Sequence, residues 1–178
     1  MGLIAMLLNT IQRADHALYA TLTDRKSARH IAAVARWVSK SGDGHLYVVL
    51  GIMAMIFDGA HGISFFSAAL TAFAIELPLY FMIKNAFKRN RPCDVLQTLP
   101  AFVKPSDKFS LPSGHTAAAF VMAAMGSHYY PDFSHWMFAW AGLIGASRVL
   151  LRVHFPTDII CGLALGTAAA SCSLFIWA

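Results

Sequence analysis

Residues 62–83 read GISFFSAALTAFAIELPLYFMI, a stretch with one charged side chain, Glu76, that ends on Lys84. About 20 consecutive apolar residues wound as a helix span the roughly 30 Å hydrocarbon core of a bilayer. Comparable apolar runs flank it at residues 45–59, 114–129, 133–150 and 156–177. The pattern predicts an all-α fold, a multi-pass transmembrane helix bundle with about five spans. Composition points the same way: the 178-residue chain is 57% hydrophobic and 13% charged, with a mean hydropathy of +0.56. Soluble domains carry about 25% charged residues. A soluble domain of this make-up would expose too much apolar surface, and the length suits one domain over residues 1–178.

Residues 1–44 differ from the apolar core at 45–177. Arg13, Asp15, Asp24, Arg25, Lys26, Arg29, Arg36 and Lys40 interrupt the apolar positions at short intervals. This segment therefore reads as one or two amphipathic helices lying at the membrane interface. Full insertion of residues 1–20 would bury Arg13 and Asp15 at a cost of about a few kcal/mol. Residues 1–8 are apolar, but no basic region precedes them and no small-residue cleavage site follows, so they do not read as a removable signal peptide.

One long polar connection, residues 85–112, is punctuated by Pro92, Pro100, Pro105 and Pro112. Loops of that length in compact folds are commonly functional or disordered. Alternating the spans across a bilayer brings its start, the beginning of the third span and the turn between the fourth and fifth spans to one face. Three polar clusters meet there. Lys84 and Arg91 close an apolar helix with a point charge and a planar fork of donors, a pairing that suits a phosphoryl group, although a basic stop at a membrane border has the same look. Pro112-Ser113-Gly114-His115 opens a helix whose N–H groups and dipole favour an anion, and His115 stands where it could give a proton to a leaving group. A bare helix cap would account for Ser113 and Gly114 equally well.

The third cluster runs from Ser147-Arg148 to His154 and Asp158. Pro156 suits the first turn of the last span, which places Asp158 near the same helix start as His154. A carboxylate bonded to one imidazole nitrogen fixes the tautomer and leaves the other free to attack. Glu76 is the only glutamate, and its place inside a span requires a partner cation or polar group, or else protonation. Lys88, Arg89 and Arg152 read as contacts to lipid headgroups.

Taken together, the clusters resemble the signature of the type 2 phosphatidic acid phosphatase (PAP2) family: Lys-x6-Arg-Pro, then Pro-Ser-Gly-His, then Ser-Arg-x5-His-x3-Asp, matched at every fixed position over roughly residues 9–177. The resemblance implies a bacterial inner-membrane enzyme that hydrolyses a lipid phosphate without a metal or other cofactor. His154 would attack phosphorus and carry a phosphohistidine, Asp158 would orient it, and His115 would protonate the leaving oxygen. Lys84, Arg91, Ser113, Gly114 and Arg148 would hold the phosphoryl oxygens. A polyprenyl phosphate or diphosphate, phosphatidylglycerol phosphate and phosphatidic acid all fit such a site. A lipid phosphotransferase using the same intermediate, or a small transporter, are the competing readings. The five spans argue against the family's soluble, vanadate-holding haloperoxidases.

Other classes find less support. Cys93, Cys161 and Cys172 show no CxxC spacing or even count, and no HExxH or paired Cys/His spacing marks a metal site. His16, His30, His45, His61, His128 and His135 read as structural. The net charge of +5 is spread beside apolar segments rather than along an aromatic-interleaved groove, so the expected partners are anionic lipid and the bilayer, not nucleic acid. All 14 Lys and Arg residues fall on the active-site face or in the segment attached to it, and eleven remain when Lys84, Arg91 and Arg148 are set aside. The positive-inside rule then favours a cytoplasmic active site, whereas bacterial members of the family more often face the periplasm. Nothing in the pattern specifies an oligomeric state.

Overall fold

The structure is a computed structural model and describes residues 3–23, 28–96 and 100–178. These form helices α1 (Leu3–Thr23), α2 (Ala28–Lys40), α3 (Gly44–Phe57), α4 (Gly59–Phe87), α5 (Pro92–Val95), α6 (Gly114–Tyr129), α7 (Ser134–Leu150) and α8 (Pro156–Trp177), with a 3-10 turn at Pro131–Phe133. No strand occurs among the described residues, in keeping with the all-α expectation. Of the expected interfacial segment, Asp24, Arg25 and Lys26 lie outside the described residues.

Helix α6 is the hub, packed against α4, α7 and α8. Its residues allow this: Ala117, Ala119, Ala123 and Met125 are fully buried and mostly small. On α8, Gly162 and Gly166 stand four apart, the small-xxx-small spacing that lets two helix backbones approach. A Cβ on Gly162 would lie 2.6 Å from the Ser113 carbonyl oxygen, and one on Gly166 would run into the Ala117 carbonyl. Close contact here also ties the two helix starts together, because the Ser113 N–H donates to the Asp158 carbonyl at 3.0 Å.

Among the described residues two helices, α4 with the residues after it and α8, are long and apolar enough to cross a membrane, and α3 is a shorter apolar helix. Only 28% and 33% of the most apolar stretches of the two long helices are buried. The outward faces carry exposed Leu70, Phe81 and Met82 on α4, Ile160, Phe175 and Ile176 on α8, and Val49, Ile56 and Phe57 on α3. At 29 residues α4 is about 43 Å long, more than a hydrocarbon core needs, and so its last turn brings Lys84 to the polar end of the bundle.

Helices α1 and α2 are docked onto the bundle. Ala32, Ala35 and Ser39 form the buried stripe of α2 against α7, while Asp15 and Tyr19 of α1 are buried toward α7 and α8. Among the described residues two non-glycine residues adopt left-handed backbone, Lys88 (φ 46) closing α4 and Arg152 (φ 64) between α7 and α8. Both sit in turns that deliver the polar clusters.

Candidate active site

The turn from α7 to α8 is short and tightly bonded: the Val153 N–H donates to the Arg148 carbonyl at 3.2 Å and the Arg152 N–H to the Val149 carbonyl at 2.9 Å. It points His154 inward, 2% exposed. Pro156 opens α8, and Asp158 in its first turn accepts the Phe155 N–H at 2.8 Å. The imidazole Nδ1 lies 3.5 Å from Asp158 Oδ2 and is buried without a hydrogen-bond partner. Its other nitrogen, Nε2, faces the guanidinium of Arg91 at 3.4 Å. Burial pulls the His154 imidazole down to about 4, against the opposing pull of Asp158.

Three buried cations belong to the same polar cluster. Arg91, the residue just before α5, donates to the Val153 carbonyl at 2.7 Å and to the Asp107 carboxylate at 2.5 Å. Lys84 donates to Asp107 at 2.7 Å and to the Tyr80 hydroxyl one turn back on α4. Arg148, in the last turn of α7, donates to Ser39 of α2 at 2.6 Å, and its Nε is buried without a partner. All three are at most 6% exposed, and none could be buried charged without such contacts.

Ser113 caps the start of α6 and accepts a hydrogen bond from Thr116 at 2.9 Å. A Cβ on Gly114 would lie 3.0 Å from the Tyr80 ring, so glycine lets α6 sit against α4 here. His115 follows, with Nε2 3.1 Å from Asp43 just ahead of α3. His115, Arg148, Asp43 and Ser39 line a polar cavity of about 290 Å³. The eight residues singled out in the sequence therefore converge on one end of the bundle.

A family model for the PAP2 superfamily matches residues 60–177. The chain belongs to the PAP2 superfamily. The crystal structure of Aquifex aeolicus LpxE is similar, with a TM-score of 0.78 and 27% identity over 89% of this chain and 93% of that one. The first transmembrane PAP2-type phosphatidylglycerolphosphate phosphatase from Bacillus subtilis shares the fold, with a TM-score of 0.74 and 24% identity over 94% of this chain and 86% of that one. A lipid A 1-phosphatase of Porphyromonas gingivalis is 38% identical over 61 residues, 32% of this chain and 14% of that longer protein. The likeness to both structures gives this chain the PAP2 helical fold.

Several partners of the site escape a reading of the PAP2 motifs. Asp107 is a loop residue outside any spaced motif, yet it bridges Lys84 and Arg91. Asp43 and Ser39 come from the segment before the first apolar run, where a Ser-x3-Asp beside Gly44 carries no distinguishing signal. Arg89 is not a headgroup contact: its guanidinium bridges Asp15 and Asp158, with Asp158 at 2.7 Å, and stacks 4.3 Å from the Phe155 ring. Arg152 is likewise turned inward, stacked 4.6 Å from the Phe102 ring and donating to the Thr23 carbonyl at 3.1 Å. Lys88 alone of the three is exposed. Glu76, expected to have a partner, is 2% exposed and has neither a hydrogen bond nor an ion pair with any described residue.

Proposed function

We propose that this chain is a metal-independent lipid phosphate phosphatase that works through a phosphohistidine on His154. The observation that carries this reading is the Nε2 edge of a buried imidazole turned toward Arg91 at 3.4 Å, with Asp107 bridging Arg91 to the buried Lys84. Three cations and the N–H groups opening α6 supply the charge stabilisation that phosphoryl transfer needs. His154 Nε2 attacks phosphorus as the bond to the lipid oxygen breaks. Protonated His115 gives its proton to that oxygen, and Asp43 at 3.1 Å orients it. Asp158, closing on Nδ1–H, stabilises the cationic phosphohistidine. Water then attacks phosphorus, His115 takes its proton, and phosphate leaves with His154 neutral again.

On this reading α3, α4, α6, α7 and α8 are the five spans, residues 1–44 lie at the interface, and the positive-inside count puts the site on the cytoplasmic side of the inner membrane. A lipid phosphate is supported as substrate by the similarity to LpxE, a lipid A 1-phosphatase and a phosphatidylglycerolphosphate phosphatase. Purified protein in detergent with excess chelator is expected to release inorganic phosphate from one of these lipids or from phosphatidic acid, and orthovanadate to inhibit it. Strict need for a divalent cation would overturn the mechanism. Phosphate passed only to a second lipid would make the enzyme a transferase.

A further inference from the structure

Beside the phosphate site a groove of about 420 Å³ runs between α3, α4 and α6, within the roughly 300–1,000 Å³ of small-molecule sites. Its walls are apolar, with Val48, Leu70 and Leu77 half-exposed along the outward rim. Its inner end is shared with the catalytic cluster: Gly114 and Tyr80 line it, and the Tyr80 hydroxyl touches both Lys84 and Asp107. Two residues with polar side chains, Glu76 and Tyr47, are among those lining it. Glu76 is 2% exposed with no hydrogen bond or ion pair to a described residue, and the Tyr47 hydroxyl is buried without a hydrogen-bond partner. Natural cores rarely leave one such group unpaired, and each costs stability.

Glu76, Tyr80 and Lys84 repeat every fourth residue on one face of α4. Because the Lys84 ammonium leans back onto Tyr80, Glu76 lies one to two turns from the phosphate site, roughly 6–12 Å along the helix. We propose that this groove holds an acyl chain of the substrate lipid, and that Glu76 and Tyr47 recognise the acyl linkage or a hydroxyl beside it. A carboxyl accepts from a hydroxyl or amide N–H, and a phenol donates to an ester or amide carbonyl. Acylated glycerol and acylated sugar phosphates carry such groups within that distance of phosphorus. Polyprenyl phosphates offer only hydrocarbon there and leave both protein groups unpaired. The assignment makes Glu76 and Tyr47 specificity residues for acylated lipids, and it rests on the lipid-phosphatase reading above.

The test compares kcat/KM for dipalmitoyl phosphatidic acid and for hexadecyl phosphate in wild type, Glu76→Leu, Glu76→Gln and Tyr47→Phe. The preference for the acylated substrate is expected to fall about tenfold in Glu76→Leu and several-fold in Tyr47→Phe, and to persist within about threefold in Glu76→Gln. Removing an unpaired buried carboxyl is also expected to raise the melting temperature of Glu76→Leu. The same preference in wild type, Glu76→Leu and Tyr47→Phe overturns the proposal, and if Glu76→Leu does not fold, Tyr47→Phe decides it. A separate arm measures stabilisation of the protein by monopalmitoylglycerol against hexadecane, neither of which carries phosphate. If no lipid phosphate is hydrolysed, the phosphatase reading fails. The groove then stands if monopalmitoylglycerol stabilises wild type more than it does Tyr47→Phe, and falls if it does not.

Discussion

The Asp107 carboxylate lies 2.7 Å from the Lys84 ammonium, and its second oxygen lies 2.5 Å from the Arg91 guanidinium. A loop carboxylate thus spans the two cations as two oxygens of a phosphoryl group would. Burial alone would raise this carboxyl. Hydrogen bonds from Lys84, Tyr80 and Arg91 outweigh that and hold it at about 2. On the proposed mechanism an incoming phosphate would compete with Asp107 for the same donors.

Replacing Asp107 by Asn removes the competing charge and keeps the shape. Orthovanadate is expected to inhibit Asp107→Asn about tenfold more tightly than wild type, a gain of about 1.4 kcal/mol. Inhibition constants measured in detergent check this, and weaker inhibition of the variant would refute the competition.

The proposed mechanism gives the two histidines separable roles. His154→Gln is expected to fold and to lose at least about a thousandfold in kcat, because it removes the proposed nucleophile. His115→Ala is expected to lose most on lipid substrates with a poor leaving group and much less on p-nitrophenyl phosphate, which departs without a proton. Near-normal turnover in His154→Gln would sink the nucleophile assignment.

Arg89 acts through Asp158. Its guanidinium ties Asp158 to Asp15 on α1, and Asp15 also accepts the Thr157 N–H at 3.0 Å. Arg89→Ala is expected to lower kcat about 10–100-fold with little change in KM, the effect of misplacing the nucleophile. Arg89→Lys recovers little, since an ammonium cannot span two carboxylates as a planar fork does. A rise in KM alone would show that Arg89 serves substrate binding instead.

Acid sensitivity follows from His154. Its imidazole sits at about 4 in the folded protein against an ordinary 6.5, because burial disfavours the charged ring. Below 6.5 the unfolded chain takes up this proton first, so stability present above 6.5 drains away as pH falls toward 4. Asp107 adds a second loss as pH falls from 3.8 toward 2. Thermal unfolding in detergent is expected to show a drop in melting temperature between pH 6.5 and 4 that is smaller in His154→Gln.

Sidedness has a direct readout at Cys93, half-buried in α5 beside Arg91. In a protein with Cys161 and Cys172 changed to Ser, a membrane-impermeant maleimide is expected to label Cys93 only after cells are permeabilised. Labelling of intact cells would place the site on the outer face.

The PAP2 motifs were legible because their spacing is local. His154 and Asp158 lie four residues apart across the start of α8, Arg148 falls in the last turn of α7 just before the turn that aims His154, and Ser113-Gly114-His115 opens a helix. Helix spacing and one tight turn carry these relationships into three dimensions. The partners that came from afar were not legible. Asp107 reaches Lys84 from 23 residues away, Ser39 reaches Arg148 from 109, and Asp43 reaches His115 from 72.

The sequence by itself determined the all-helical class and which residues are the candidates for nucleophile, acid and phosphate-holding cations, since apolar period and short-range spacing are properties of the chain alone. Only the tertiary structure decided which charges neutralise which. Arg89 and Arg152, alike in sequence as border cations, turn inward because α1 supplies Asp15 to one and the Thr23 carbonyl to the other. Glu76, which in sequence needs a partner, is left unpaired because α3 and α6 present only apolar walls and an equally unpaired Tyr47 along the groove it lines. Burial penalties act on the whole packed assembly, so the pairing of charges is set by which helices meet and not by the order of residues along any one of them.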